Sequence, residues 1–313
     1  MSILKLSSIG KDYLWGGTRL IKEYGKNFNL DKLAETWELS CHPDGLCTIA
    51  EGEFAGKTLR EYLNAVGNKV LGTKCQQMEQ FPLLIKFIDA KSDLSIQVHP
   101  SDEYALKHEG QYGKTEMWYI MDCQPGAFIY YGFKESITNE EFAERIQNKT
   151  LLEVLNKVKV KKGDVFFIEP GTIHAIGGGN LIAEIQQNSN VTYRVYDYGR
   201  VGADGKEREL HIDKAKAVAK CTPPKRDYDF GSHLVSCDYF TVDKFTLDGK
   251  SIKKMSGIVD NTSFASVLVL DGQGTIRAGA EAVEVKKGDS IFMEAGTGKF
   301  EVEGELEMLI TTV

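Results

Sequence analysis

A mostly β chain made of two related units is what this 313-residue sequence predicts, on three observations. It carries 31 glycines against 7 prolines, which suits a fold of many tight turns. Short apolar runs of strand length recur along it, bounded by turn residues. The stretch Lys161-Lys162-Gly163-Asp164-Val165-Phe166-Phe167-Ile168-Glu169-Pro170-Gly171-Thr172 returns as Lys286-Lys287-Gly288-Asp289-Ser290-Ile291-Phe292-Met293-Glu294-Ala295-Gly296-Thr297, so one supersecondary unit occurs twice. The length fits two domains, or one large β unit with an appendage.

Residues 1–30 mix short apolar stretches with the loop Trp15-Gly16-Gly17-Thr18-Arg19, whose glycines permit turns that other residues resist. Thr36-Trp37-Glu38-Leu39-Ser40 reads as a strand. The turn His42-Pro43-Asp44-Gly45 follows, in which His42 is most simply a solvated residue. Thr58-Leu59-Arg60-Glu61 has the capping-box pattern, and Leu59, Tyr62, Leu63 and Val66 follow at helical spacing. Phe81-Pro82-Leu83-Leu84-Ile85-Lys86-Phe87-Ile88 is apolar almost throughout, as in a strand covered on both faces. Lys86 within it must meet an anion, snorkel to solvent or face a ligand, because burying it unpaired is costly.

In Ser95-Ile96-Gln97-Val98-His99-Pro100 the side chains alternate, so Gln97 and His99 share the face opposite Ile96 and Val98, and Pro100 stops the strand. Ser101-Asp102-Glu103 opens a short helix with acids in its first turn, and His108 near its end reads as a surface residue. Lys114-Thr115-Glu116-Met117-Trp118-Tyr119-Ile120-Met121 reads as a strand with Lys114, Glu116 and Trp118 on one face. Thr138-Asn139-Glu140-Glu141 and Thr150-Leu151-Leu152-Glu153 are further capping-box patterns, placing a small helical insertion at about 134–158. The first repeat copy leads into a strand that starts at His174. More strands run from Leu181 to Gln187 and over Val191 to Asp197, where Thr192, Arg194 and Tyr196 share a face. A short helix covers 211–219 and Pro223-Pro224 marks a linker. Domains are accordingly expected at 1–222, with the helical insertion, and at 223–313.

Hydrophobic content of 42% and charged content of 27% are those of a soluble globular protein. The net charge of −7 and pI of about 5.5 argue against nucleic acid or an anionic membrane as partner, so the positive contacts of an anionic ligand must be local. Met1-Ser2-Ile3-Leu4-Lys5-Leu6 is not followed by a signal-peptide core and no run approaches membrane-spanning length, so a cytoplasmic chain is expected. The cysteines Cys41, Cys47, Cys75, Cys123, Cys221 and Cys237 form no Cys-x-x-Cys pair and are expected to be reduced structural thiols.

Gln97, His99, Glu116 and His174 stand out as a ligand set. Two imidazoles and a carboxylate suit zinc, and an amide oxygen adds a weak fourth ligand. One carboxylate against a divalent ion leaves the set net positive. Without thiolates it should act as a Lewis acid open to water or substrate. Satisfied core histidines are the alternative reading. In the second copy Lys299 falls opposite His174, and residues 262–313 contain no histidine, so that copy is expected to be structural.

Taken in order, Phe81-Pro82-Leu83-Leu84-Ile85-Lys86, Ser95-Ile96-Gln97-Val98-His99-Pro100, Lys114-Thr115-Glu116-Met117-Trp118-Tyr119, Pro170-Gly171-Thr172-Ile173-His174-Ala175 and Tyr193-Arg194-Val195-Tyr196-Asp197 resemble the signatures of type I mannose-6-phosphate isomerases, in their short bacterial form. The resemblance runs from Trp15-Gly16-Gly17 to the C-terminal repeat. It implies two cupin-type jelly-roll β-barrels, the second degenerate, with a small helical insertion. It also implies one zinc ion (Zn2+) per chain held by Gln97, His99, Glu116 and His174, an active-site arginine at Arg194, and interconversion of mannose 6-phosphate and fructose 6-phosphate. Longer members carry an aspartate four residues before that arginine. This chain has Asn190 there, which leaves any acid–base role of that aspartate without its carboxylate.

Moving a carbonyl between C1 and C2 requires removing a carbon-bound proton and stabilising a cis-enediolate. Arg194 is expected to stabilise the oxyanion or hold the phosphate, and Lys114 to carry a proton. Arg19, Lys86 and Lys114 are the cations that could meet the phosphate. Two other classes use similar ligands: a metal-dependent cupin oxygenase and a non-catalytic sugar-binding or regulatory cupin. The expected partner is a small phosphorylated sugar, and the chain a monomer or homodimer.

Overall fold

In the computed structural model, which describes residues 2–202 and 205–313, the strands that flank the proposed ligands build two facing sheets. The first has six antiparallel strands in the order Val165–Ile168, Glu116–Cys123, Asn180–Gln187, Leu83–Ala90, Glu35–Leu39, Ile9–Lys11. Its central strands are buried along their whole length, so each face must pack. Leu83, Ile85 and Phe87, with Leu181, Ala183 and Ile185, join a core shared with Phe264, Phe292 and Leu309 of the C-terminal unit. The alternate residues, Ile88, Trp118, Ile120 and Ile182, meet Ile129, Tyr131 and Ile176 of the second sheet.

That second sheet has five strands in the order Leu155–Lys159, Phe128–Phe133, His174–Ile176, Ile96–Val98, Tyr193–Tyr196. Its outer face is covered by the helices Asn139–Gln147, Leu151–Val154 and Ile212–Val218, which pack Phe142, Ile146, Leu151 and Ala215 against Ile96, Val98 and Tyr193. With Ile96 and Val98 turned outward, Gln97 between them is left for the interior. The alternation read from the sequence holds.

The C-terminal unit is a nine-stranded sheet dominated by Ala265–Ala278 and Gly298–Thr312. It also takes in Ile3–Ser7, which pairs with Ser290–Met293, so the start of the chain is woven into the sheet of its end. Across the junction Tyr119 donates to Glu307 at 2.9 Å and Tyr62 to Glu294.

The internal repeat is reproduced in its turn geometry and backbone hydrogen bonds. In each copy the glycine of the Lys-Lys-Gly-Asp turn has φ near +90°, at Gly163 and Gly288, which favours a residue without Cβ. In each copy the aspartate carboxylate accepts from the first lysine's backbone N–H at 2.9 Å, Asp164 from Lys161 and Asp289 from Lys286. In each the closing turn is pinned by a threonine N–H donating to the glutamate carbonyl at 3.1 Å, Thr172 to Glu169 and Thr297 to Glu294.

Two local expectations need correcting. Thr58 and Glu61 do form a capping box on Leu59–Val66, and Thr138 caps Asn139–Gln147. The Thr150 pattern, however, gives one turn, Leu151–Val154, with no side-chain cap. Glu153 is held by Arg145 at 3.0 Å instead of reaching back, and Leu155 turns extended to pair with Phe133, so the last part of the 134–158 segment is strand. His42 is not solvated. It is 4% exposed, packs edge-on to Trp37, and its Nδ1 accepts from the Asp44 backbone N–H. All six cysteines are free. No helix among the described residues is long and apolar enough to cross a membrane.

Candidate metal centre and active site

His99 follows the Ile96–Val98 strand and His174 opens the neighbouring one, both facing the six-stranded sheet, from which Glu116 projects. Each imidazole is anchored through Nδ1 on a backbone carbonyl at 2.8 Å, His99 on Val191 and His174 on Thr172. A carbonyl can only accept, so each Nδ1 carries the proton and each Nε2 presents a lone pair. Those two Nε2 atoms lie 3.2 Å apart. Glu116 Oε1 is 3.3 Å from His174 Nε2, and Oε2 is 3.7 Å from His99 Nε2.

Burial first, and then Lys114, holds His99 far below the ordinary imidazole range, and burial takes His174 down to about 4. Both rings are therefore neutral near pH 7, and no proton bridges their lone pairs. Burial pushes Glu116 the other way, up to about 7, against the pull of Lys114 at Oε2, and its buried Oε1 has no hydrogen-bond donor. Lys114 approaches Glu116 Oε2 and His99 Nε2, while Glu116 Oε1 and the His174 Nε2 lone pair face each other with no donor between them. His99, Glu116 and His174 offer ligand atoms all within 4.8 Å of one another, an arrangement that a cation completes. The donor set fits a divalent metal of borderline hardness.

Gln97 is aligned with His174 on one side and Arg194 on the other, so the three stand in a row across adjacent strands. Gln97, Lys114, Glu184 and Arg194 line one cavity of about 260 Å³ with Tyr13, Trp15, Lys86, Ser95, Asn190 and Arg208. A larger open groove of about 1370 Å³ lies on the C-terminal unit between Asp248, Asp271 and Glu305, but no histidine lines it.

The cavity floor is a chain of alternating charges. Lys86 Nζ is 3.2 Å from Glu184 Oε1 and 3.6 Å from Glu35 Oε2. Lys114 Nζ is 3.7 Å from Glu184 Oε1, 2.9 Å from Glu116 Oε2 and 3.2 Å from His99 Nε2. Trp118 Nε1 donates to Glu184 Oε2 at 2.9 Å. Burial alone would raise Glu184, but Lys114 and Lys86 hold it down to about 2. Burial alone would lower Lys86, yet Glu35 and Glu184 lift it above the usual lysine range. Of the three fates open to Lys86, pairing is the one it has.

Arg194 donates from Nη1 to the Glu209 carbonyl at 2.9 Å, while its buried Nε has no partner. Asn190 donates to Asp44 at 2.8 Å. Arg19 is not brought to this cavity: its guanidinium is taken by Glu23 and Asp122 in a separate cleft, and its backbone N–H donates to Asp89. Sequence reasoning missed Glu184, Glu35, Tyr13 and Arg208. Glu184 carried a signal, since a lone acid in the run Leu181-Ile182-Ala183-Glu184-Ile185 falls on the same face as Ile182 and Gln186. Arg208 lies on a loop and carried none.

The family model for the catalytic domain of type I phosphomannose isomerase matches residues 3–122, and that for the cupin domain of mannose-6-phosphate isomerase matches residues 231–313. Mannose-6-phosphate isomerase ManA of Bacillus subtilis is 39% identical, with 96% of each chain covered. The mannose-6-phosphate isomerase of Streptococcus mutans is 38% identical, covering 95% of this chain and 93% of that one. The crystal structure of a mannose 6-phosphate isomerase from Bacillus subtilis superposes with a TM-score of 0.91 at 33% identity, with all of both chains covered. The expected cupin architecture is thereby shown, and the chain belongs to the type I mannose-6-phosphate isomerase family.

Proposed function

We propose that the chain interconverts mannose 6-phosphate and fructose 6-phosphate through a cis-enediolate, with one zinc ion held by Gln97, His99, Glu116 and His174. The observation that carries this reading is the pair of facing Nε2 lone pairs beside the Glu116 carboxylate, next to a cavity that presents Gln97, Lys114 and Arg194. Zinc in that position would supply Lewis-acid polarisation of the substrate carbonyl. The protein does the rest. The Val191 and Thr172 carbonyls fix the tautomer and aim of both imidazoles.

Lys114 carries the proton at Nζ, flanked by Glu116 and Glu184, which hold that atom in the cavity. Arg194 stabilises the oxyanion that develops as the carbon-bound proton leaves, from its place on the cavity wall beside Gln97. Trp15 and Ile176 supply apolar wall that limits water around the intermediate. The enzyme works as a cytoplasmic monomer or homodimer on a small phosphorylated sugar.

The test is formation of fructose 6-phosphate from mannose 6-phosphate in a coupled assay, with metal content measured in parallel. Turnover should be lost on chelation and return with zinc. Turnover that persists in metal-free protein would refute the reading.

A further inference from the structure

Beyond the Lys86–Glu184–Lys114 floor, the cavity wall carries a second concentration of charge. Arg194, Arg200 and Arg208 gather around one buried carboxylate, Asp197. Arg208 grips it side-on, Nε to Oδ2 at 2.7 Å and Nη2 to Oδ1 at 2.6 Å. Arg200 binds the same carboxylate and anchors on the Asp93 carbonyl. Burial and then the neighbouring Arg208 push Arg194 below the usual guanidinium range, as expected where positive charge exceeds negative. Three guanidiniums against two carboxylates, Asp197 and Glu209, is a site short of an anion.

Of these arginines, Arg194 and Arg208 line the cavity. Arg194 stands beside Gln97, at the metal end. Arg208 stands at the foot of the loop that leaves the strand after Tyr196, closed by the pairing of Val201 with Glu207. Its grip on Asp197 uses the Nε and Nη2 edge, and Nη1 makes no hydrogen bond among the described residues. The other cavity cations are committed elsewhere, Lys86 to Glu35 and Glu184, and Lys114 to Glu116 and Glu184. In a hexose 6-phosphate the phosphate hangs from C6, the end of the carbon chain away from the reacting C1 and C2.

We propose that Arg208 receives the phosphate of the sugar and that Asp197 is a positioning residue that presents it. The proposal rests on the reaction assigned above. A carboxylate locked on one edge of a guanidinium leaves the opposite edge oriented before the ligand arrives, so less side-chain freedom is lost on binding. If Asp197 merely cancelled charge, removing it would tighten anion binding instead.

The experiment measures KM and kcat for mannose 6-phosphate in the metal-loaded enzyme. Arg208→Gln should raise KM at least tenfold in order of magnitude, as for loss of a charged hydrogen-bond donor, with kcat nearly kept. Asp197→Asn should raise KM by roughly two- to tenfold, the cost of ordering a free guanidinium on binding. The double variant should be no worse than Arg208→Gln alone, because Asp197 acts through Arg208. An unchanged KM in Arg208→Gln, a lowered KM in Asp197→Asn, or multiplicative effects in the double variant would each overturn the assignment. Arg208 is partly exposed and its replacement does not depend on Asp197→Asn folding. A wild type that does not turn over mannose 6-phosphate would overturn the reaction itself, whereas an active wild type with unaltered variants overturns only this assignment.

Discussion

Glu184→Gln is the most informative change to the cavity floor, because shape is kept and one charge is lost. Glu184 Oε1 faces Lys86 Nζ at 3.2 Å and Lys114 Nζ at 3.7 Å, and Oε2 accepts from Trp118. At an effective dielectric constant of about 20 the two attractions are about 5 and about 4 kcal/mol. Relief of the carboxylate's own desolvation returns several kcal/mol, so the net loss should be about 3–5 kcal/mol, the range for breaking a buried pair on one side. A glutamine cannot serve all three donors. If its oxygen keeps Trp118, its NH2 is turned toward two ammonium groups.

All three tryptophans of the chain, Trp15, Trp37 and Trp118, belong to the sandwich that holds Glu184. Urea unfolding followed by tryptophan fluorescence therefore reports on the unit concerned. Lys86→Met should cost a similar amount, and the double variant clearly less than both together, since each single change strands the other's charge. A loss under about 1 kcal/mol for Glu184→Gln, close to that of a neutral surface substitution, would refute the idea that this acid organises the two lysines.

Other consequences follow from the same geometry. His99→Ala and His174→Ala should each abolish stoichiometric metal, read as metal per chain by elemental analysis, and either one retaining full metal content would remove that residue from the ligand set. Gly163→Ala and Gly288→Ala put the same strain, about 1–2 kcal/mol, on two equivalent turns with φ near +90°. A Cβ at Gly288 would also meet the Tyr24 carbonyl oxygen at 2.8 Å, whereas one at Gly163 meets nothing within 4 Å, so Gly288→Ala should lower the denaturation midpoint more. Arg19→Ala should leave KM for mannose 6-phosphate unaltered, because its guanidinium serves Glu23 and Asp122 away from the cavity; a tenfold rise in KM would contradict that placement.

The legible part of this site was what lies within one strand. Alternation alone put Gln97 on the face opposite Ile96 and Val98, and put Lys114 and Glu116 on one side of their segment. Lys86 was recognisable as a buried charge, but its partners were not, since Glu35 and Glu184 come from two neighbouring strands whose register is a tertiary property. Arg19 illustrates the converse. An arginine closing the Trp15-Gly16-Gly17-Thr18-Arg19 loop reads as a ligand contact, and only the fold shows that Asp122, from a distant strand, claims it. His42 was misjudged because Pro43-Asp44-Gly45 signals a turn without saying that Trp37 packs over it. Arg208 required knowing where a loop returns.

The repeat gives the strongest argument that the polar interior of the first unit exists for chemistry. Both copies use the same Lys-Lys-Gly-Asp turn, the same carboxylate-to-backbone bond and the same closing threonine, so the shared geometry needs nothing more than these. In the second copy the facing strands are filled by Ile276, Val283, Val285 and Val302, which form an apolar core. In the first the corresponding interior holds two neutral imidazoles, three glutamates and two lysines, groups whose burial is costly unless each is paired. The second copy builds the same turn-strand-turn unit around an apolar filling. The charges in the first copy are therefore a cost accepted for function, and Glu116, whose Oε2 meets Lys114 while its Oε1 faces the His174 lone pair, marks where that function is centred.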